Sequence, residues 1–199
     1  RTAIYDRRRN ALHGERLSLD ISNMIFDLSN SITEEFHDAR DAEGFNLEVL
    51  KTLGIDLNLS QDDFANNKIN SITDMVYKAA YENYLHKGER IAEQVYPVIK
   101  DVYENSNDKY RNIAIPITDG VKTRNIVTNL ELAFKTKGKS MIRSIEKFST
   151  LRIIDEHWKE HLREMDDLRQ SVQNASYEQK DPLLIYKFES FELFQQLIQ

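Results

Sequence analysis

The sequence predicts a mostly α-helical protein carrying one small β-hairpin near residues 113–128. Three observations predict it. Apolar residues recur at three- and four-residue steps over long stretches, the spacing of an amphipathic helix. Only six glycines and three prolines interrupt 199 residues. Strict alternation of β-branched residues is confined to one segment, around Asp119-Gly120. Charged residues make up 30% and hydrophobic residues 40% of the chain, a balance that supports a packed, helix-rich protein over a disordered one.

Taken in order, Ile4-Tyr5 to Leu12 reads as an incoming helix that breaks at Gly14. Its basic triplet, Arg7-Arg8-Arg9, reads as a solvated or salt-bridged helix face rather than a binding patch. From Leu17, the residues Ile21, Met24, Ile25, Leu28, Ile32 and Phe36 predict a helix with one buried face. Between Asp38 and Asn70 the pattern loosens, with Gly44, Gly54 and a short apolar piece at Leu47, Val49, Leu50 and Leu53, so short helices and loops are expected. A helical pattern resumes from Ile69 to Tyr103 through Ile72, Val76, Ala80, Tyr84, Ile91, Val95, Val98 and Val102, with Gly88 and Pro97 as points of bending. Ile113, Ile115 and Ile117, the turn dipeptide Asp119-Gly120, and Thr123, Ile126, Val127 and Thr128 then predict the hairpin.

Asn129 or Thr128 is expected to cap a long helix running from Leu130 to Val172, because the first N–H groups of a helix need an acceptor side chain. Ile142, Ile145, Phe148, Leu151, Ile154, Trp158, Leu162, Met165, Leu168 and Val172 keep helical steps for about eight turns. Gln173 to Pro182 is polar apart from Ala175 and Tyr177, and Asp181-Pro182 is a helix start, since proline lacks an N–H that would be unpaired there. Leu184, Phe188, Phe191 and Phe194 or Leu197 form a second stripe. Two such helices joined by a short turn pack most simply as an antiparallel hairpin.

The net charge of −6 argues against a broad footprint for nucleic acid or anionic lipid. The absence of cysteine removes disulfides, thiolate metal sites and cysteine nucleophiles. No apolar run approaches the ~20 residues needed to span a bilayer, which predicts a soluble chain. Both ends read as cuts: the chain opens on Arg1 inside a helical pattern and closes on the apolar, uncapped run Phe191 to Gln199.

Three patterns resemble chemistry. Gly138-Lys139-Ser140 ends like a phosphate-binding loop, but Ala133 stands where the first glycine belongs and helix is expected on both sides, so a lysine-rich, solvated turn of helix is the better reading. His157-Trp158-Lys159-Glu160-His161 matches the inverted zinc-peptidase pattern His-x-x-Glu-His, with Glu160 as general base. The third protein ligand such a site needs is not in sight, so the histidines are expected to flank a buried Trp158 with no metal bound. At the tip between the two helices Tyr177 stands among Gln173, Asn174, Ser176, Glu178 and Gln179. Its ring is apolar on its faces and polar at its end, able either to grip varied chain segments or to fold back on the hairpin.

The stretch Leu151-Arg152-Ile153-Ile154-Asp155-Glu156-His157-Trp158-Lys159-Glu160-His161-Leu162, then Met165-Asp166-Asp167-Leu168-Arg169, then Tyr177-Glu178-Gln179-Lys180-Asp181-Pro182, resembles the SecA family of preprotein translocase motors. Ile4-Tyr5-Asp6-Arg7-Arg8-Arg9-Asn10-Ala11-Leu12 is similar to the end of that family's long scaffold helix. The resemblance implies the scaffold end at 1–13, a helical wing domain at 14–136 and the two-helix finger at 137–199. It implies that Tyr177, with its neighbours Gln179 and Lys180, contacts the moving preprotein at the mouth of the SecY channel, while Trp158, Leu162, Met165 and Leu168 form the finger's core. The chain departs from the family before the tip, where Ser171-Val172-Gln173-Asn174-Ala175-Ser176 replaces Gly-Ile-His-Leu-Arg-Gly, so no role of that arginine carries over. Position 157 is often not histidine in the family.

By the same resemblance the partners are the SecY channel complex, unfolded preproteins and the parent's own ATPase domains, with no nucleic acid. The parent works in the bacterial cytoplasm and peripherally on the cytoplasmic face of the inner membrane. ATP and magnesium belong to the parent's nucleotide-binding domains, and zinc to a cysteine-containing tail, none of which these residues match. The chain by itself is therefore expected to hold no cofactor and to hydrolyse nothing. A helical adaptor that binds partner proteins without a motor is the alternative.

Overall fold

A computed structural model describes residues 2–14, 16–106, 109–118, 120, 123–175 and 181–198, with the side chains of the penultimate helix described as far as Val172. Among them the order is α1 (Thr2–His13), α2 (Leu17–Ala39), α3 (Ala42–Leu53), α4 (Gln61–Asn66), α5 (Ile69–Ser106), β1 (Asn112–Thr118), β2 (Thr123–Asn129), α6 (Leu130–Lys135), α7 (Lys139–Ala175) and α8 (Pro182–Ile198). Over the described residues the chain is mostly helical with one two-stranded antiparallel sheet, as the sequence predicts. Two compact units divide it: Gly14–Glu146, and Arg1–His13 with Lys147–Gln199, the boundary falling inside α7.

The unit Gly14–Glu146 holds two cores, both served by α5. In the first, Ile32 of α2, Phe45 and Val49 of α3, Ile55, Phe64 of α4, and Ile72, Val76 and Ala80 of α5 pack together. The rings of Phe45 and Phe64 lie 4.6 Å apart and neither is exposed. Polar side chains hold the irregular path between α3 and α4. Asn46 donates to the Leu59 carbonyl (2.9 Å) and accepts from its N–H (3.1 Å), and Ser60 caps α4 by accepting from the Asp63 N–H (3.1 Å). Gly44, which the sequence reading places in a loosened stretch, sits in the first turn of α3, where Asp41 accepts from its N–H. The buried hydroxyls of Ser29 and Thr33 each donate to the carbonyl four residues back (2.7 Å), so neither is an unpaired polar group.

In the second core Ile99 of α5 meets Ile113 and Ile115 of β1, Ile126 of β2, Leu130 and Ala133 of α6, and Met141 of α7. The strands pair from Asn112↔Asn129 to Thr118↔Thr123 with no bulge, which puts the alternating isoleucines on the core side. α5 runs unbroken through Gly88 and Pro97. Between the cores, the half-buried Tyr84 hydroxyl donates to the Glu146 carboxylate. Burial, that bond and the carboxylate's charge push this phenol above its ordinary range.

The expected single helix from Leu130 to Val172 is in fact two. Asn129 caps α6 through the Leu132 N–H (2.9 Å), but α6 ends at Lys135, and Lys137 and Gly138 take left-handed conformations, φ 50° and 84°. Two successive left-handed residues stop a helix, and here they turn the chain into α7. A second correction concerns α8. Leu184, Phe188 and Phe191, expected on its buried stripe, are 52%, 70% and 60% exposed, while Ile185, Tyr186, Leu193, Phe194 and Leu197 are half-buried. α8 is apolar on more than one side, so apolar spacing does not single out its packing face.

Candidate functional site

In the unit of Arg1–His13 and Lys147–Gln199 the sequence-singled residues gather around Trp158. Its ring meets Tyr5 of α1 edge-on at 6.3 Å and lies 5.5 Å from His161, one turn further along α7. His161 in turn meets Phe194 of α8 edge-on at 6.3 Å. Helical spacing places Trp158 and His161 on one face, and the four rings together join α1, α7 and α8. Trp158 and Met165 are half-buried and Leu168 is buried. Leu162 is 38% exposed, and the buried place at that turn belongs to His161, 7% exposed, whose Nδ1 has no hydrogen-bond partner among the described residues.

α1 is also tied by charge. Arg8 donates through Nε to Asp155 Oδ1 (2.8 Å) and through Nη2 to Oδ2 (3.3 Å), the forked geometry that guanidinium and carboxylate favour. Arg9 pairs with Asp6 (2.9 Å), so within the triplet two arginines act as salt-bridging side chains. The hydrogen bond from Arg8 holds the Asp155 carboxyl below its ordinary range against a smaller opposing effect of burial, with the charges of Arg8 and Lys159 adding to the depression. A carboxyl whose folded pKa lies below its unfolded value stabilises the fold above the unfolded value, about 4, and loses that contribution as pH falls through the folded one. The protection factors of α1 amides, exchange rates taken relative to the intrinsic rate at each pH, are therefore expected to fall on acidification below about pH 4 in the wild type, and Arg8→Gln is expected to flatten that dependence. Equal acid sensitivity in both would remove the pair from the account.

The zinc-like and phosphate-like patterns are occupied otherwise. His157 is exposed and His161 buried, and Glu160 pairs with Arg163 (3.0 Å). Among the described residues no group of three or more His, Asp or Glu is placed to hold a metal ion. At Gly138-Lys139-Ser140 the backbone N–H groups donate inward: Gly138 to the Ala133 carbonyl (2.8 Å), Lys139 to the Thr136 carbonyl (3.1 Å) and Ser140 to Thr136 Oγ1 (3.0 Å). None of these three backbone N–H groups is left to wrap a phosphate.

Tyr177, Gln179 and Lys180 lie outside the described residues. α7 leads towards them and α8 leads away, starting at Pro182, where Asp181 accepts from the Leu183 N–H (2.9 Å). Sequence reasoning set His161 beside Trp158 but missed Tyr5 as a partner of Trp158, Phe194 as a partner of His161 and Asp155 as the partner of Arg8. Residues about 150 positions apart, such as Arg8 and Asp155, leave no signal in local periodicity.

Residues 1–199, the full chain, match the model of the SecA wing and scaffold domain. The chain belongs to the SecA family. It is 48% identical over its whole length to the protein translocase subunit SecA of Christiangramia forsetii, and 47% and 46% identical to those of Porphyromonas gingivalis and Bacteroides thetaiotaomicron. It spans 18% of the length of these SecA relatives. No solved structure matches the chain. Within this SecA wing-and-scaffold chain, Trp158-Lys159-Glu160-His161-Leu162 forms the middle of α7, and the run that begins at Tyr177 ends at the first residue of α8. No helix among the described residues is long and apolar enough to cross a membrane.

Proposed function

We infer that this chain is the part of a SecA-type, ATP-driven translocase that touches the moving preprotein and couples it to the parent's ATPase domains. The observation that carries the reading is the match to the SecA wing and scaffold domain over all 199 residues. In this reading residues 1–13 are the end of the scaffold helix, 14–136 the helical wing and 137–199 the two-helix finger. The compact unit Gly14–Glu146 supports a self-contained wing that also takes in the first turns of α7. Trp158, Met165 and Leu168 stiffen the finger through the ring cluster and the buried stripe. Tyr177, flanked by Gln179 and Lys180, grips the polypeptide at the mouth of the SecY channel.

A ring that is apolar on its faces and polar at its end can hold any side chain weakly, which suits a motor that must move every sequence. ATP and magnesium act in the parent's nucleotide-binding domains, and the parent works from the cytoplasm at the inner membrane. The test is transport of a preprotein into SecY-containing vesicles by the full-length parent. Tyr177→Ala is expected to slow transport a few-fold to about tenfold, the worth of one aromatic contact. Tyr177→Phe is expected to restore most of it, with basal ATP hydrolysis unchanged in both. Transport indifferent to Tyr177→Ala would make the tip a bystander and favour a helical adaptor.

A further inference from the structure

The two edges of the hairpin differ, and one residue decides how. The Leu130 N–H donates to the Arg111 carbonyl (2.9 Å), and these two residues continue the register Asn112↔Asn129 by one step. Antiparallel ladders alternate between pairs that exchange hydrogen bonds and pairs that do not. Counting from Arg111 and Leu130, the bonded pairs are Ile113 with Thr128, Ile115 with Ile126, and Ile117 with Arg124. The intervening residues, Ala114 and Pro116 on β1 and Asn125 and Val127 on β2, turn their N–H and C=O groups outward. Pro116, opposite Asn125, has no N–H. The edge of β1 therefore lacks a donor at its centre, a common means of blunting an exposed strand.

β2 has no such protection. It contains no proline and no bulge, its one charged side chain is Arg124 near the turn end, and among the described residues nothing bonds the outward groups of Asn125 and Val127. Both residues are exposed, Val127 by 58%. We propose that this free edge holds a segment of extended, unfolded polypeptide as a third strand, through main-chain hydrogen bonds at Asn125 and Val127. Strand addition draws its affinity from the main chain, so it accepts a polypeptide with little regard to sequence. A second copy of the chain fits less well. Two seven-residue strands bury far less than the roughly 1,000 Å² of a stable interface, and two chains each of net charge −6 repel. The inference rests on the reading that the chain belongs to a machine handling unfolded polypeptide.

The probe is a short peptide of alternating threonine and valine flanked by lysines, titrated into the full chain and followed by amide NMR. The amides of Asn125 and Val127 are expected to gain protection from exchange, while those of Ile126 and Thr128, already bonded across the hairpin, stay as they are. A peptide N-methylated at every residue of its threonine-valine run, so that neither of its edges keeps a donor, is expected to bind about tenfold more weakly, and so is Val127→Pro, which removes one outward donor as Pro116 does on β1. If Val127→Pro costs Ile126 and Thr128 their protection, the N-methylated peptide on the wild-type chain decides alone. Equal binding of both peptides overturns the proposal, as does a saturating peptide that leaves Val127 unprotected. Protection that grows with protein concentration in the absence of peptide also overturns it, assigning the edge to a second copy. The titration involves neither the channel nor Tyr177, so the tip reading and the edge proposal fail separately.

Discussion

Phe64→Ala is expected to destabilise the unit Gly14–Glu146 by about 3–5 kcal/mol, the range for deleting a fully buried aromatic ring. The ring has no exposed surface and packs on Phe45 at 4.6 Å and on His37 at 5.6 Å. It is the one buried residue of α4, a helix of six residues, and a helix that short has no stability of its own in water. Losing the ring therefore costs the cavity and also releases α4, with the Asn46 and Ser60 bonds that depend on its position. Hydrogen exchange read by mass spectrometry should show protection lost across α3, α4 and the first turns of α5. Leu47→Ala, on the same α3 but at a side chain 65% exposed, is the control and should stay within about 0.5 kcal/mol of wild type. Equal effects of the two substitutions would mean that Phe64 does not organise this core.

Gly138→Ala is expected to cost about 3 kcal/mol from two sources that add. The residue has φ 84°, a conformation that costs a side chain roughly 1–3 kcal/mol. A Cβ there would also lie 2.7 Å from the Ala92 carbonyl oxygen and 3.2 Å from its carbon. Those atoms are backbone inside α5, so they cannot swing aside as a flexible side chain would, and one of the two helices must shift. Gly120→Ala separates the two sources, since Gly120 has φ 89° but nothing within 4 Å of a Cβ. Thermal unfolding should show a clearly lower Tm for Gly138→Ala than for Gly120→Ala. Matching Tm values would mean that the close approach to Ala92 contributes nothing.

Much of the fold was legible because long regular periods carry their own redundancy. α2 and α5 each present six or more apolar residues at helical steps, so a misplaced residue changes little. The hairpin was legible because alternating isoleucines and Asp119-Gly120 say the same thing independently. The break between α6 and α7 was not, because Lys137 takes φ 50° with a side chain that gives no warning of it. What makes glycine necessary at Gly138 is a carbonyl of Ala92, distant in sequence. The inner face of α8 was hidden by an excess of apolar residues, and the burial of His161 in place of Leu162 by the assumption that a stripe must be apolar. The ring cluster around Trp158 was only half legible, because Tyr5 and Phe194 reach it from other helices. The tip residues were legible only through resemblance to a family, since one tyrosine among polar neighbours says nothing of its partner.

α5 enters both cores of its unit, with Ile72, Val76 and Ala80 near one end and Ile99 near the other, and its 38 residues make a rod about 57 Å long. Starting a helix is far harder than extending one, and a folded core supplies the start. Either core can therefore seed α5, and extension then carries an already formed helix to the place where the other core must assemble. The order of assembly is then expected to be interchangeable, so that a lesion delaying one core leaves a second route to the same helix.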